Sequence, residues 1–292
     1  MDSVIELKGV SKKYNNKVVL DRIDLCIQKG TIVGLIGENG AGKTTLMKSI
    51  LGLIHIDDGE IFIANNSLKR EYSDAVKNIG FLLEPTFYNY LSSFGNMKVN
   101  MLLNGYIKKD YVEADHLLKF VGLYDVKNKK ASTFSFGMKQ RLGLAQALIG
   151  SPDILLLDEP MVGMDPIGMK NLKEKIQELH KQGKTILFSS HQLESVQDIC
   201  TDIAVIKDHK ILLHKRLEEV VCNIFTFEFE KDLGESEINS IKIIEDQIEI
   251  LGNKIVIKSD KDELFSIIAL AINDNKIINY SKNKEDLNKF FT

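Results

Sequence analysis

Cysteine is scarce in this chain: Cys26, Cys200 and Cys222 are the three in 292 residues, far apart and without a CxxC pair. Neither a disulfide framework nor a thiolate metal cage is expected, and each thiol is read as buried, reduced and cytosolic. Long hydrophobic runs are missing too. The longest, Leu264 to Ile272, contains Ser266 and falls far short of the roughly 20 residues that span a bilayer. The opening Met1-Asp2-Ser3-Val4 is no basic-then-apolar leader. Positive charge is not in excess: the formal net charge is −3, which makes no electrostatic case for nucleic acid as a partner. There is no internal repeat, low-complexity tract or heptad array. What remains is a globular composition, 44% hydrophobic and 27% charged, long enough for one large domain or two.

The stretch that organises the chain is Gly37-Glu38-Asn39-Gly40-Ala41-Gly42-Lys43-Thr44-Thr45. Before it runs Ile32-Val33-Gly34-Leu35-Ile36, the pattern of a buried parallel strand. After it, Leu46, Ile50 and Leu53 recur on one face of a helix. A strand, a GxxxxGK[ST] loop and a helix form the context that a P-loop needs. Glycines let the backbone wrap closely round phosphates, with N–H groups converging at a helix N-terminus. In that setting Lys43 reaches the β- and γ-phosphates and the Thr44 hydroxyl ligates Mg²⁺. A glycine-rich turn of purely structural use would explain neither residue.

Two alternating segments, Val4 to Val10 and Lys17 to Gln28, precede this loop and read as antiparallel strands turned at Asn15-Asn16. Tyr14, beside the turn, can stack on a base or simply end its strand. Ile61 to Ala64 is a further strand, with a polar turn at Asn65-Asn66-Ser67. The segment Ile79 to Leu91 is a short strand running into an aromatic loop with Glu84 at its turning point. From Phe94 to about Leu123 the composition is helical, with Leu117, Leu118 and Val121 on one stripe. Phe134-Ser135-Phe136-Gly137 leads another helix, stopped by Gly150-Ser151-Pro152. Past Lys215 to Glu219 the pattern becomes charged, and a domain boundary is placed there. Beyond it, alternation in Ile224 to Glu230, Ile241 to Ile250 and Asn253 to Lys258, then a helix from Glu263 to Asn273, indicates a small α+β unit.

Four aliphatics, Ile154 to Leu157, end in Asp158-Glu159-Pro160. A buried strand of this kind delivers its carboxylates at the edge where open α/β sheets bind ligands. Asp158 is placed to hold Mg²⁺, and Glu159 is a candidate base for an attacking water. Thr185 to Phe188 is a third buried strand and delivers Ser189-Ser190-His191. His191 could contact a γ-phosphate. The other histidines, His55, His116, His180, His209 and His214, sit in polar settings and are read as surface residues. Ile203 to Ile206 and Lys210 to Leu213 form a hairpin turned at Asp208-His209.

Taken together, residues 1 to about 215 resemble the ATP-binding subunit of an ABC transporter. Gly37 to Thr45 resembles its Walker A motif, Phe134-Ser135-Phe136-Gly137-Met138-Lys139-Gln140-Arg141 its signature, and Ile154 to Pro160 its Walker B. Asp165 falls in the D-loop, His191 in the switch position, and Tyr14 in the place of the adenine-stacking aromatic. The resemblance implies an α/β P-loop NTPase core at 1–215, with an antiparallel β subdomain and a helical subdomain inserted at about 84–150. Residues 216–292 then form the accessory α+β domain. It implies ATP and Mg²⁺ as cofactors and a head-to-tail homodimer or pseudo-dimer. Each nucleotide would lie on one Walker A and under Ser135 and Gly137 of the partner. It also implies separate transmembrane permease subunits, so that the protein sits in the cytoplasm, peripheral to the inner membrane face.

Two departures refine this. The family usually carries Leu-Ser-Gly-Gly-Gln at the signature, so Phe136 and Met138 replace a glycine and a glutamine. It usually carries glutamine where this chain has Glu84, which offers only acceptors and a negative charge. The alternative for Glu84 is a loop side chain facing solvent. Both departures resemble the ATPases that bacteria pair with ABC-2-type permeases for self-protection against bacitracin or lantibiotics. Competing readings are an exporter for a drug, lipid or ion, and a soluble ABC protein acting on ribosome or DNA. The soluble kinds usually carry two cassettes or a long coiled coil, and this chain shows neither.

Overall fold

A computed structural model describes residues 2–191, 196–220, 223–244, 248–259, 264–271 and 276–284. Strands β1 (Ser3–Tyr14) and β2 (Lys17–Gln28) form the first hairpin. Asn15 and Asn16 close it at φ 46° and 66°, the left-handed pair that a two-residue turn requires and asparagine tolerates. Next come β3 (Ile32–Ile36), α1 (Lys43–Ile50), β4 (Asp58–Ile63), β5 (Asn66–Ser67), α2 (Tyr72–Val76) and β6 (Ile79–Leu82). Helices α3 (Ser93–Leu103), α4 (Val112–Phe120) and α5 (Phe136–Ala147) follow. The unit is completed by β7 (Ile154–Leu157), α6 (Pro166–Lys181), β8 (Thr185–Ser190), β9 (Asp202–Lys207) and β10 (Lys210–Arg216).

Two sheets result. An antiparallel one runs β2-β1-β4-β5, and a six-stranded one runs β10-β9-β3-β8-β7-β6. Every position of β3, β7 and β8 is buried, which is why those strands read as continuous aliphatic runs and pair in parallel. Helix α1 adds Leu46, Met47 and Ile50, all fully buried, each stabilising the core by about 1.5–3 kcal/mol. The parallel registers matter for chemistry. Ile36 pairs with Ser190, Leu157 with Phe188 and Leu82 with Leu157. Gly37, Glu84, Asp158 and His191 therefore all follow the carboxyl edge of one sheet.

Some expectations are corrected. Leu53 is not on the P-loop helix but beyond it, 53% exposed. Gly52, at φ 66°, stops α1: its N–H donates to the Ser49 carbonyl at 3.0 Å and the Leu53 N–H to the Lys48 carbonyl at 2.9 Å. This is a Schellman motif, which a spacing rule overshoots by one turn. The helical stretch after Phe94 is two helices broken at Asn104-Gly105, and on its stripe Leu118 and Val121 are buried while Leu117 is half-buried.

The chain divides into two units, the first ending at Arg216 and the second starting at Leu217. The second contains β11 (Asn223–Phe229), α7 (Glu235–Ile244), β12 (Ile248–Leu251), β13 (Lys254–Ser259), α8 (Leu264–Ala271) and β14 (Ile277–Lys284). Its antiparallel order β12-β13-β11-β14 is that of a split βαβ, ferredoxin-like unit. Phe225, Phe227, Phe229, Ile255 and Ile257 from the sheet meet Ile241, Leu264 and Ile268 from the helices in its own core. The expected strand from Ile241 to Ile250 is wrong at its start. Ile238, Ile241 and Ile244 recur every third residue inside α7, leaving Ile243 87% exposed. Packing of that face against the sheet decides for the helix over the local alternation. Positions 245–247 of that stretch, positions 263, 272 and 273 of the expected helix, and Cys222 lie outside the described residues. Among the described residues no helix is long and apolar enough to cross a membrane.

Candidate active site

The loop from Gly37 to Gly42 takes its shape from glycine. Gly40 and Gly42 hold φ 86° and 112°, where a side chain would be strained, and a Cβ on Gly42 would lie 2.6 Å from the Val19 carbonyl oxygen. Glu38, Asn39 and Gly40 are exposed, Ala41 is buried, and Thr44 and Thr45 are half-buried. Helix α1 begins at Lys43 without a side-chain cap, so its first N–H groups are available to an anion. The Lys43 side chain is 6% exposed. Its Nζ donates to the Gly37 carbonyl at 2.7 Å and the Glu38 carbonyl at 3.2 Å, and stands 3.4 Å from Glu159 Oε1.

Across the sheet edge, Asp158 Oδ2 accepts the Thr44 hydroxyl at 2.6 Å and Oδ1 accepts the Ser189 hydroxyl at 2.5 Å. Ser189 also accepts the Glu159 backbone N–H at 2.8 Å. Glu159 needs such support, since it holds φ 45°, uncommon for a residue with a Cβ. Its Oε2 lies 2.9 Å from His191 Nδ1. Its buried Oε1 makes no hydrogen bond, although the Lys43 ammonium faces it at ion-pair distance. Charge attraction holds there without hydrogen-bond alignment. The arrangement is a carboxylate oriented on one oxygen by an imidazole and biased on the other by a cation, suited to accepting a proton from water.

Ser189, fully buried, was missed as a functional residue. Its strand is buried at every position, so no alternation marks it out, and the more conspicuous His191 lies just past the strand end. Replacing Ser189 with alanine leaves the Glu159 N–H without its acceptor. Turnover is expected to fall about tenfold with nucleotide affinity within about threefold, since one orphaned buried group costs about 1–3 kcal/mol. Steady-state ATPase rates and a nucleotide titration on the purified variant check this, and an unchanged rate would remove Ser189 from the site.

The other candidates stand apart: among the described residues no hydrogen bond or ion pair joins them to Lys43, Asp158, Glu159 or His191. Tyr14 ends β1, 46% exposed, with Lys12 Nζ 5.2 Å from its ring centre. Glu84 is exposed two residues past β6, whose last carbonyl, that of Leu82, accepts the Asp158 N–H at 2.7 Å. Ser135 caps α5, accepting the Met138 N–H at 3.3 Å, and Gly137 is half-buried in its first turn. Asp165 caps α6 in the same way through Gly168 at 3.1 Å.

Three histidines are not the surface residues expected. His180 and His209 are half-buried, the first with Nε2 2.8 Å from the Gly30 carbonyl and the second with an unpaired buried Nδ1. Burial holds the His214 imidazole below its usual range. Cys26 and Cys200 are half-buried rather than buried, and free. The Cys200 thiol packs toward Gly34, and burial pushes its pKa up.

For a metal, the donors are hard oxygens. Thr44 Oγ1 and Asp158 Oδ2 converge beside the helix N-terminus, and among the described residues no three His, Cys, Asp and Glu side chains cluster. Two hard protein oxygens fit Mg²⁺, which rarely takes an all-protein cage.

Comparison with known proteins agrees with this geometry. Residues 20–162 match the family model described as ABC transporter. The chain is 32% identical to an uncharacterized ABC transporter ATP-binding protein of Bacillus subtilis, over 100% of this chain and 96% of that one. It is 38% identical to a bacitracin transport ATP-binding protein of Enterococcus faecalis, covering 74% and 72% of the two chains. With a lantibiotic transport ATP-binding protein of Streptococcus pyogenes it shares 37% identity over 77% and 99%. Among solved structures, a dimeric bacterial ABC transporter cassette superposes with a TM-score of 0.67 at 25% identity, covering 73% of this chain and 98% of that one. Walker A, signature and Walker B in their order, set on this sheet, and these likenesses make the chain a member of the ABC transporter family, an ATP-binding cassette that hydrolyses ATP to power transport.

Proposed function

We propose that the protein drives a bacterial exporter, acting as a homodimer or pseudo-dimer beneath a separate membrane permease, with peptide antibiotics of the bacitracin or lantibiotic kind as cargo. The observation that carries the hydrolytic part is the contact chain Lys43–Glu159–His191 beside Thr44–Asp158. In this reading Tyr14 stacks on adenine, the amides from Gly37 to Thr45 cradle the phosphates, and Lys43 neutralises the β- and γ-oxygens. Thr44 and Asp158 would hold Mg²⁺, which would offset phosphate charge when bound. Glu159 takes the proton of the attacking water as its oxygen bonds to the γ-phosphorus and the bridging bond to ADP breaks. His191 holds Glu159 through Nδ1 and keeps Nε2 for the γ-phosphate. Ser135 accepts from its own helix but keeps its hydroxyl proton to donate, so with Gly137 it can clamp a partner's nucleotide. Asp165 lies in the loop that faces the partner. The protein then works on the cytoplasmic face, held to the membrane by the permease.

Support for the cargo comes from the two antibiotic-transport relatives and from the departures at Glu84 and Phe136. Glu84 is assigned to coupling with the permease, as a Mg²⁺ ligand or a charge beside it. The test co-expresses the chain with the permease encoded beside its gene and measures resistance to bacitracin and to a lantibiotic. Wild type should protect against at least one. Glu84→Gln should keep basal hydrolysis within about twofold, and Glu84→Ala should lose resistance more than ATP binding. No protection by wild type overturns the cargo, and a wild-type Glu84→Ala overturns the role of that residue.

A further inference from the structure

Phe136 is the first helical residue of α5 and stays 50% exposed, one of several large apolar side chains at the surface. Its ring lies on Gly163. A Cβ built on that glycine would fall 2.8 Å from Phe136 Cδ1 and 3.1 Å from Cε1, so a side chain there would have to displace the ring. Gly163 itself holds φ 70°, so the loop is shaped to present bare backbone to the ring. Met164 also comes near α5: its Cγ lies 3.5 Å from where a Gly137 Cβ would be. Residues 136–137 and 163–164 thus lie beside one another within one subunit. The loop they touch starts at Glu159 and ends at Asp165, which caps α6. Along it, the Val162 N–H donates to the Glu159 carbonyl at 3.2 Å and the Met164 N–H to the Met161 carbonyl at 3.3 Å. Two short turns thus span the backbone from Glu159 to Met164, with Gly163 inside them.

The geometry points to Phe136 as a positioning residue: its ring fastens the Glu159–Asp165 loop to the N-terminus of α5. This rests on the dimer reading above, in which Ser135 and Gly137 serve the partner's nucleotide while Glu159 serves its own. The clamp for one ATP and the base for the other then move as one piece. A glycine at position 136 would leave the two loops to move separately. The substitution of a phenylalanine for the family's usual glycine trades open backbone at the clamp for a fixed link to the base.

The experiment is a double-mutant cycle on the full chain, with ATP as substrate. Phe136→Gly should lower kcat about three- to tenfold with KM for ATP changed less than about twofold, and Phe136→Leu should restore at least half of the loss, because bulk rather than aromaticity fills the contact. Gly163→Ala, which drives the ring off the loop and also strains the loop at φ 70°, should be at least as impaired as Phe136→Gly. The double variant should be much less impaired than the product of the two single losses. Additive losses, a Phe136→Gly kcat equal to wild type, or no rescue by Phe136→Leu would each overturn the brace. An inactive wild type would instead sink the hydrolytic reading and the brace with it, so the two failures are told apart.

Discussion

Glu159→Gln leaves ATP binding intact and stalls turnover. Glutamine keeps the shape of the side chain and can still accept from His191, whose Nδ1 stands 2.9 Å from Oε2. Proton affinity is what it loses, so the attacking water has no base. Removing a positioned general base costs about 10²–10⁴-fold in rate. The backbone at φ 45° is fixed by Ser189 through the Glu159 N–H, which the substitution does not touch, so the loop should hold its shape. Two measurements check this. Steady-state phosphate release should fall into that range, and gel filtration with ATP should show a nucleotide-dependent dimer that wild type dissolves by hydrolysis. Turnover within about twofold of wild type would remove Glu159 from the role and leave His191 or a phosphate oxygen as acceptor.

The parts of this site legible in the sequence are those where one residue type has one physical use. Runs such as Ile154 to Leu157 are apolar at every position because both faces are covered, and the observed burial is complete. Asp158 was legible because such a strand must end at the ligand edge, and it does contact Thr44. Ser189 was not, because a serine within a buried strand is usually neutral in meaning and its use depends on a partner 31 residues away. Leu53 shows the limit of periodicity, since the glycine before it reverses the chain by hydrogen bonds that no spacing rule contains. The same holds in the second unit. Ile241 belongs equally well to an alternating strand and to a helix face, and only packing against the sheet decides for the helix. The contact of Phe136 with Gly163 lies furthest from view, because it joins two loops through the absence of a side chain.

Lys43→Ala should abolish what Glu159→Gln preserves. The side chain is 6% exposed, with two carbonyl partners and the Glu159 carboxylate around its ammonium. A cation held that firmly at the mouth of α1 is preorganised for phosphate, and little ordering cost remains when nucleotide arrives. Hydrogen bonds to charged groups are worth about 1.5–3 kcal/mol each, so one lost phosphate contact weakens ATP affinity by about 10- to 150-fold and two by far more. Alanine also leaves Glu159 Oε1 buried with no cation facing it, and the neighbouring carboxylate then repels the γ-phosphate. Both effects act in the same direction, against binding. Titration with a fluorescent ATP analogue separates the two variants: Glu159→Gln should match wild type, whereas Lys43→Ala should show no saturation at concentrations that fill wild type. Undiminished affinity in Lys43→Ala would mean that the phosphates are held elsewhere, and the assignment of the loop from Gly37 to Thr45 would fall with it.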